Sequence, residues 1–390
     1  MGRLDQTISG IYYRSPVVVA SSPLTDKPDL IKQAEENGAG AASVKLTLLK
    51  QPNKGIRQMY YEQGYRFFNP SDKRNDLEPG LELVRKAKEA TSDIVLWANI
   101  AGPGDDLEGW AEIAKLMEQA GADALELNFI CPNMNFTSVN GQMVGALIGK
   151  NPVLVGQIVK KVKETVKIPV WVKNTSEVED YLTIIRSEQE GGADGFVING
   201  SPIVAPPIDI YKGGRTKMTT YNEKCSFGGC GGPVLRPLSQ RLIGQVAKES
   251  NVPIAGGGGL ETWEHAVEAI MFGASLVTFC TKFMVEGFSG ISKINESLER
   301  FMEENNYDNI AAMRGSALDF ICLTPELSNT YSYAKIDNDK CVGCGMCEKV
   351  GSCQAITIED KKAVVNIEKC EGCGLCHWLC KKDAISFVAR

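Results

Sequence analysis

The chain has 390 residues, 43% hydrophobic and 23% charged, an ordinary globular composition that sets disordered and fibrous classes aside. A formal net charge of -6, with no Lys/Arg block interleaved with aromatics, argues against a nucleic-acid partner. The opening Met1-Gly-Arg-Leu-Asp-Gln lacks an apolar leader, and no apolar run approaches the roughly 20 residues of a membrane span. A cytoplasmic protein that stays out of the membrane is therefore expected.

In chain order, eight short β-rich runs alternate with amphipathic segments of helical length: Pro16 to Ser21, Ala42 to Thr47, Ile94 to Ile100, Ala124 to Phe129, Ile168 to Asn174, Gly195 to Asn199, Val252 to Gly256, and Ser275 to Cys280. The helical segments, such as Asp29 to Gly38 and Trp110 to Gly121, space their apolar residues for one face and end on a Gly suited to the position after a helix. This alternation implies parallel strands joined by right-handed crossovers. Eight strands close a (β/α)8 TIM barrel, which takes roughly 250 residues. A doubly wound open sheet shows the same alternation. The barrel is favoured because the Lys, Asn, Cys and Gly-rich candidates fall at the C-terminal ends of strands, where barrels keep their functional residues.

Gly287 to Asn305 predicts the closing helix, which puts the barrel at residues 1–310, a connector at 311–332 and a second domain at 333–390. Between Ser201 and Gly232 the chain is rich in Gly, Pro and Thr. A loop of that length inside a compact barrel is usually functional. His265 reads as an exposed helical residue, and Cys225, Cys230, Cys280 and Cys322 mainly as packing or loop residues.

Eight of the thirteen cysteines lie between Cys341 and Cys380, a clustering that fits metal ligation in a reducing compartment better than a disulfide scaffold. The run Cys341, Cys344, Cys347 recurs 29 residues later as Cys370, Cys373, Cys376, and Ala355-Ile356 recurs as Ala384-Ile385. Three thiolates at this spacing wrap one [4Fe-4S] cubane, and the fourth Cys of each run ligates the other cluster. One cluster then takes Cys341, Cys344, Cys347 and Cys380, the other Cys370, Cys373, Cys376 and Cys353, as in a bacterial ferredoxin-like domain. Cys353 follows its run after five residues where Cys380 follows after three, and neither run has the usual Pro after its last Cys. Structural zinc on four cysteines is the bland alternative, but zinc needs pairs and gives no reason for duplicated triples. His377, between ligands, is placed to tune a cluster's potential.

Gly256 to Gly259 follows the seventh strand and Cys280-Thr-Lys the eighth, where barrels seat a phosphate on backbone N–H groups. No Gly-x-Gly-x-x-Gly opens a helix after a strand, so a nicotinamide dinucleotide is expected on a partner.

Several segments together resemble the flavin barrel of the dihydroorotate dehydrogenase family, and within it the dihydropyrimidine dehydrogenases with a C-terminal pair of [4Fe-4S] clusters. They are Gly121-Ala-Asp-Ala-Leu-Glu-Leu-Asn-Phe-Ile-Cys-Pro-Asn133, Pro169-Val-Trp-Val-Lys173, Gly192-Ala-Asp-Gly195, Gly228-Gly-Cys-Gly-Gly-Pro-Val-Leu-Arg-Pro237, and the glycine run followed by Gly273-Ala-Ser275. The resemblance covers nearly the whole chain. It implies FMN with its phosphate on the backbone around Gly258, Gly259, Cys280 and Thr281. The isoalloxazine would lie near Ala20, Ser21, Lys45, Asn99, Asn128, Lys173 and Asn199, with Gly229 in the loop over the ribityl chain and Cys230 within approach.

A lysine such as Lys173 beside the ring would stabilise developing negative charge. Cys131 resembles the family's general acid/base, and Asn69, Asn133 and Ser201 its substrate readers. The implied reaction is reduction or oxidation of a C=C bond in a pyrimidine-like substrate such as uracil or thymine. Electrons would come from an NAD(P)H-oxidising flavoprotein or other donor, in a homodimer or hetero-oligomer. Departures keep two alternatives open. Ile130 stands where the family usually has Ser, Asn133 matches the dihydroorotate enzymes, and the Asn at the end of strand six is shifted by one place. The rivals are a reductase of another conjugated carbonyl or N-heterocycle, and an electron-transfer subunit whose barrel does not catalyse.

Overall fold

The computed structural model describes residues 2–49, 58–62, 64–68, 73–131, 143, 145–198, 201–219, 224–322, 324–327, 331–350 and 352–390. The chain divides into two compact units, residues 1–321 and 322–390. Among the described residues no helix is long and apolar enough to cross a membrane.

The first unit is a closed barrel of eight parallel strands: β1 Val17–Val19, β2 Ala41–Leu48, β3 Val95–Ala101, β4 Ala124–Asn128, β5 Val170–Asn174, β6 Gly195–Ile198, β7 Ile254–Gly257 and β8 Leu276–Phe279. They stand in sequence order around the ring, with β8 hydrogen-bonded to β1. Each coincides with one of the eight runs expected from sequence. All of these strand residues are buried, because a parallel sheet covered by helices has no wet face. Eight main helices intervene or follow: α1 Pro28–Glu36, α2 Leu77–Ala90, α3 Leu107–Gln119, α4 Pro152–Thr165, α5 Tyr181–Glu190, α6 Arg236–Glu249, α7 Trp263–Met271 and α8 Ser289–Glu304. Local chemistry starts several of them. Asp106 accepts the Gly109 N–H (2.9 Å) at α3, and Asn151 accepts the Val153 and Leu154 N–H groups (3.1 and 3.2 Å) ahead of Pro152 at α4.

Strand alternation sorts the barrel interior into two layers. Towards the N-terminal ends the inward residues are apolar: Val18, Ala41, Trp97, Ala124, Trp171, Val197, Ala255 and Leu276 form one cluster with Tyr13 and Ile8 of the N-terminal hairpin. Trp97 and Trp171 stack at 4.6 Å between ring centroids and plug the barrel. Two residues further along, the inward positions of five strands, β2 to β5 and β8, turn polar: Ser43 and Lys45, Asn99, Glu126 and Asn128, Lys173, Thr278. That switch puts a polar floor beneath the C-terminal face.

The segment between Ser201 and Gly232 is more structured than a loop. Ile203–Val204 and Gly228–Gly231 join Tyr65–Phe68 and Met59–Glu62 in a four-stranded antiparallel sheet. Strands of two to four residues are too short to leave a periodicity in sequence. His265 is half-buried, with its Nδ1 accepting the Glu261 N–H (3.2 Å), which corrects the expectation of an exposed side chain.

In the second unit the 29-residue duplication is expressed as an exchange. Ser332–Ile336 pairs with Ile385–Ala389, and Ile356–Glu359 with Lys362–Val365, so strands of one repeat pair with strands of the other. Asp337 N–H donates to Ala384 O (2.8 Å), and the equivalent Asn366 N–H to Ala355 O (2.7 Å). Gly343 and Gly372 are equivalent left-handed residues, and a Cβ on them would lie 2.1 and 2.4 Å from the Lys361 and Ser332 carbonyl oxygens, so both turns require glycine.

Candidate active site and cluster sites

A cleft opens over the polar floor at the C-terminal ends of the strands, with about 1150 Å³ of empty space including its open mouth. The strands deliver Ala20 and Ser21 after β1, Lys45 in β2, Asn128 at the end of β4, Cys131 just beyond it, Lys173 in β5, Gly258 and Gly259 after β7, and Cys280 and Thr281 after β8, all lining this one cleft with Ser201. Asn69, Asn133 and Asn199 lie outside the described residues. Asn99 stands one layer below the lining, and Gly229 just before Gly231 and Gly232, which line the cleft in its place.

Sequence reading missed the residue that organises the floor. Glu126 is almost fully buried; its Oε2 accepts from Ser43 and from Asn99 Nδ2, and its Oε1 lies 3.3 Å from the Lys173 ammonium. Burying a charge is costly unless it is paired and hydrogen-bonded. Here one carboxylate meets both conditions and fixes Lys173 at the base of the cleft. The signal was available: Glu126 is two residues before Asn128 in a strand, so both point inward.

Asn128 continues the network. Its Nδ2 donates to Asn99 Oδ1 (3.1 Å), and its Oδ1 accepts the N–H groups of Ile130 (3.2 Å) and Cys131 (3.0 Å). The loop bearing the Cys131 thiol is thereby tied to the rigid barrel. Ile130 is buried and lines the cleft beside it.

The opposite side of the cleft is built for an anion. Gly258 and Gly259 have φ of 89° and 83°, which favour glycine, and a Cβ on Gly259 would meet the Arg236 N at 2.6 Å. Among the described residues the charged lining is Lys45, Arg66, Arg74, Lys173 and Glu261, of which Lys173 is paired with Glu126 below. Arg66, absent from the expected set, has a buried Nε without a partner among the described residues. A flavin mononucleotide fits this arrangement: glycine backbone and cations for the phosphate, a lysine held on a carboxylate for the ring.

In the second unit the eight clustered cysteines resolve into a pattern. Cys341, Cys344, Cys347 and Cys380 line one cavity; Cys353, Cys370, Cys373 and Cys376, with Cys347 at the boundary, line another. Among the described residues no group of three or more His, Cys, Asp or Glu converges as around a single metal ion. The cysteines ring cavities, as a cubane requires. Backbone N–H groups of Ala363, Ala334 and Ala384 approach the sulfurs of Cys341, Cys370 and Cys380, each at 3.4 Å, a donor placement that suits thiolates. His377 Nδ1 lies 2.5 Å from the Ile385 carbonyl oxygen, which holds the ring against Phe387.

Comparison with known proteins gives the family. The dihydroorotate dehydrogenase family model matches residues 3–302, and a 4Fe-4S binding domain model matches residues 363–386. The NAD-dependent dihydropyrimidine dehydrogenase subunit PreA of Escherichia coli (strain K12) is 29% identical over 354 residues, covering 88% of this chain and 84% of that protein. The catalytic subunit of dihydroorotate dehydrogenase B (NAD(+)) from Pyrococcus abyssi is 32% identical over 81% of this chain and 99% of its own. Its counterpart from Methanocaldococcus jannaschii is 31% identical over 78% and 94%. The chain belongs to the dihydroorotate dehydrogenase family and is an iron-sulfur flavoprotein oxidoreductase of the dihydroorotate and dihydropyrimidine dehydrogenase type.

Proposed function

We infer that this member of the dihydroorotate dehydrogenase family reduces or oxidises the C=C bond of a pyrimidine-like substrate, with uracil or thymine as the leading pair. It would exchange electrons with an NAD(P)H-oxidising partner subunit through two [4Fe-4S] clusters, in the cytoplasm, as a homodimer or hetero-oligomer. The observation that carries this reading is the joining of Cys131, Lys45, Lys173 and the Gly258-Gly259 cradle in one cleft. The similarity to the dihydropyrimidine dehydrogenase subunit supports the pyrimidine class: it covers 88% of the chain, more than the barrel unit's 321 of 390 residues, so it reaches into the cysteine unit. The two cysteine-lined cavities support a pair of clusters.

Bound FMN supplies hydride exchange with one substrate carbon. The Cys131 thiol gives or takes the proton at the neighbouring carbon, a role worth roughly 10²–10⁴-fold. Asn128 holds the Cys131 backbone and so fixes the thiol's approach. Lys173, held on Glu126, would offer its positive charge to the bound flavin and so favour the form that carries negative charge.

A second reading, a reductase of another conjugated carbonyl or N-heterocycle, is favoured by Ile130, which puts an apolar wall beside Cys131. The third, an electron-transfer subunit without catalysis, is disfavoured by the tethered Cys131.

Anaerobic purification, a flavin-release assay and an iron count, followed by titration of the reduced protein with uracil, thymine and orotate, test the proposal. FMN with about eight irons for two cubanes, and reoxidation by uracil or thymine, support it. Reoxidation by orotate alone moves the chain to the dihydroorotate side. Reoxidation by none of the three moves it to the second reading, and absence of flavin removes the basis of all three.

A further inference from the structure

Arg66 is on the strand Tyr65–Phe68, outside the barrel proper, and its guanidinium reaches into the cleft. Its Nη1 lies 2.8 Å from Met284 Sδ and 3.5 Å from Cys280 Sγ, and its Cζ sits 5.3 Å from the centre of the Phe68 ring. Sulfur is a weak acceptor, and the buried Nε has no partner among the described residues. A guanidinium partly withdrawn from water, whose neighbours among the described residues are two sulfurs and a ring face, is poorly satisfied, and an anion presenting two oxygens matches its fork. Space has been made for it: a Cβ on Gly231 would fall 2.7 Å from Arg66 Nε.

The position of this guanidinium indicates which anion it reads. Cys280 and Met284 follow β8, and Gly259 packs on the Gly232 carbonyl in the same corner. Cys131 follows β4, four strands from β8 in either direction around the closed ring of eight. The Arg66 corner is thus across the barrel from the thiol that faces the reacting carbons. A carboxylate on a small substrate beside Cys131 belongs to that far side, whereas the terminal phosphate of an extended cofactor belongs to the glycine corner.

We propose that Arg66 is a side-chain clamp for the phosphate monoester of the bound flavin, adding a charged, two-pronged contact to the backbone cradle of Gly258 and Gly259. The proposal rests on the flavin reading of the cleft and makes the chain selective for FMN over the unphosphorylated flavin. Arg66 is a binding residue in this account and moves no proton.

The test uses the full chain with its clusters, stripped of flavin anaerobically and titrated with FMN and with riboflavin. A charge-assisted pair predicts that Arg66→Gln weakens FMN by about 10- to 100-fold and leaves riboflavin within about twofold. Arg66→Lys, which keeps the charge but loses the fork, should recover part of the FMN affinity. Equal weakening of both flavins overturns the proposal in favour of a packing role. Unchanged FMN affinity with loss of orotate binding overturns it in favour of a substrate carboxylate. An unmutated chain that binds neither flavin sinks the flavin reading itself, and does so before any variant is made.

Discussion

The barrel and the cysteine unit each surround a cofactor site, but they reach it by opposite routes. In the barrel, Ala20, Lys45, Cys131, Lys173, Gly259 and Cys280 come from strand ends scattered along the chain, and closure of eight strands over an extensive buried core brings them together. In the cysteine unit the ligands come from two short local runs, and the buried core has ten residues, three of them cysteines. A core that small supplies little stability alone. The barrel should therefore keep its shape without its cofactor, whereas the cysteine unit should need its iron-sulfur cofactor to fold, since the free energy of metal binding becomes folding free energy.

Cys380→Ser probes the contrast most severely. It should remove iron and acid-labile sulfide, make residues 322–390 protease-sensitive and reduce donor-linked turnover by orders of magnitude, while bound flavin stays at its original stoichiometry. Loss of flavin alongside iron would show that the two regions are not independent. Cys131→Ser tests the barrel alone: substrate turnover should fall roughly 10²–10⁴-fold with flavin and iron contents unchanged. Full turnover in that variant would leave the cleft as a relay.

Glu126→Gln acts through the floor. It strips the buried Lys173 of its counter-charge, a loss worth about 3–5 kcal/mol for a fully buried pair. Calorimetry should show the barrel transition lowered and the cluster absorbance untouched.

The smallest effect is expected behind the site, at Glu188. Burial pushes this carboxyl up to about 8, with one hydrogen bond from Asn174 (2.9 Å) opposing the shift only in part. The folded chain keeps a proton there that the unfolded chain gives up from its ordinary 4.5 upward, so this group's contribution to stability falls as pH rises from about 4.5 towards 8. Glu188→Gln should leave the melting temperature near wild type at pH 5 and raise it by about 2 °C or more at pH 8. A variant curve parallel to wild type across that range would place the proton elsewhere.

What could be read from the sequence follows the same contrast. The eight cysteines that line the two cavities were legible, because spacing along a short run is itself the geometry. The eight strands were legible because buried parallel strands leave continuous apolar runs, and Lys45 and Lys173 stood out as charges at their ends. Glu126 was passed over because a single acid in Ala-Leu-Glu-Leu-Asn reads as part of a strand until its inward neighbour is counted. Arg66 could not be read at all: it arrives on a hairpin paired with Gly228–Gly231, a contact of long sequence separation. Glu188 has the ordinary look of a solvated helical charge, and only the packing of α5 on the barrel removes it from water.

The exchanged strands of the cysteine unit set a limit on how this region can change. In most repeat architectures each copy contacts its neighbours in the same way, so copies can be gained or lost and the array lengthens or shortens. Here Ser332–Ile336 and Ile356–Glu359 find their partners only in the other copy, and the Asp337 and Asn366 bonds cross between copies in both directions. A single copy would leave both of its strands without their present partners. Loss of either copy therefore undoes the pairing of the other, independently of what the cysteines hold.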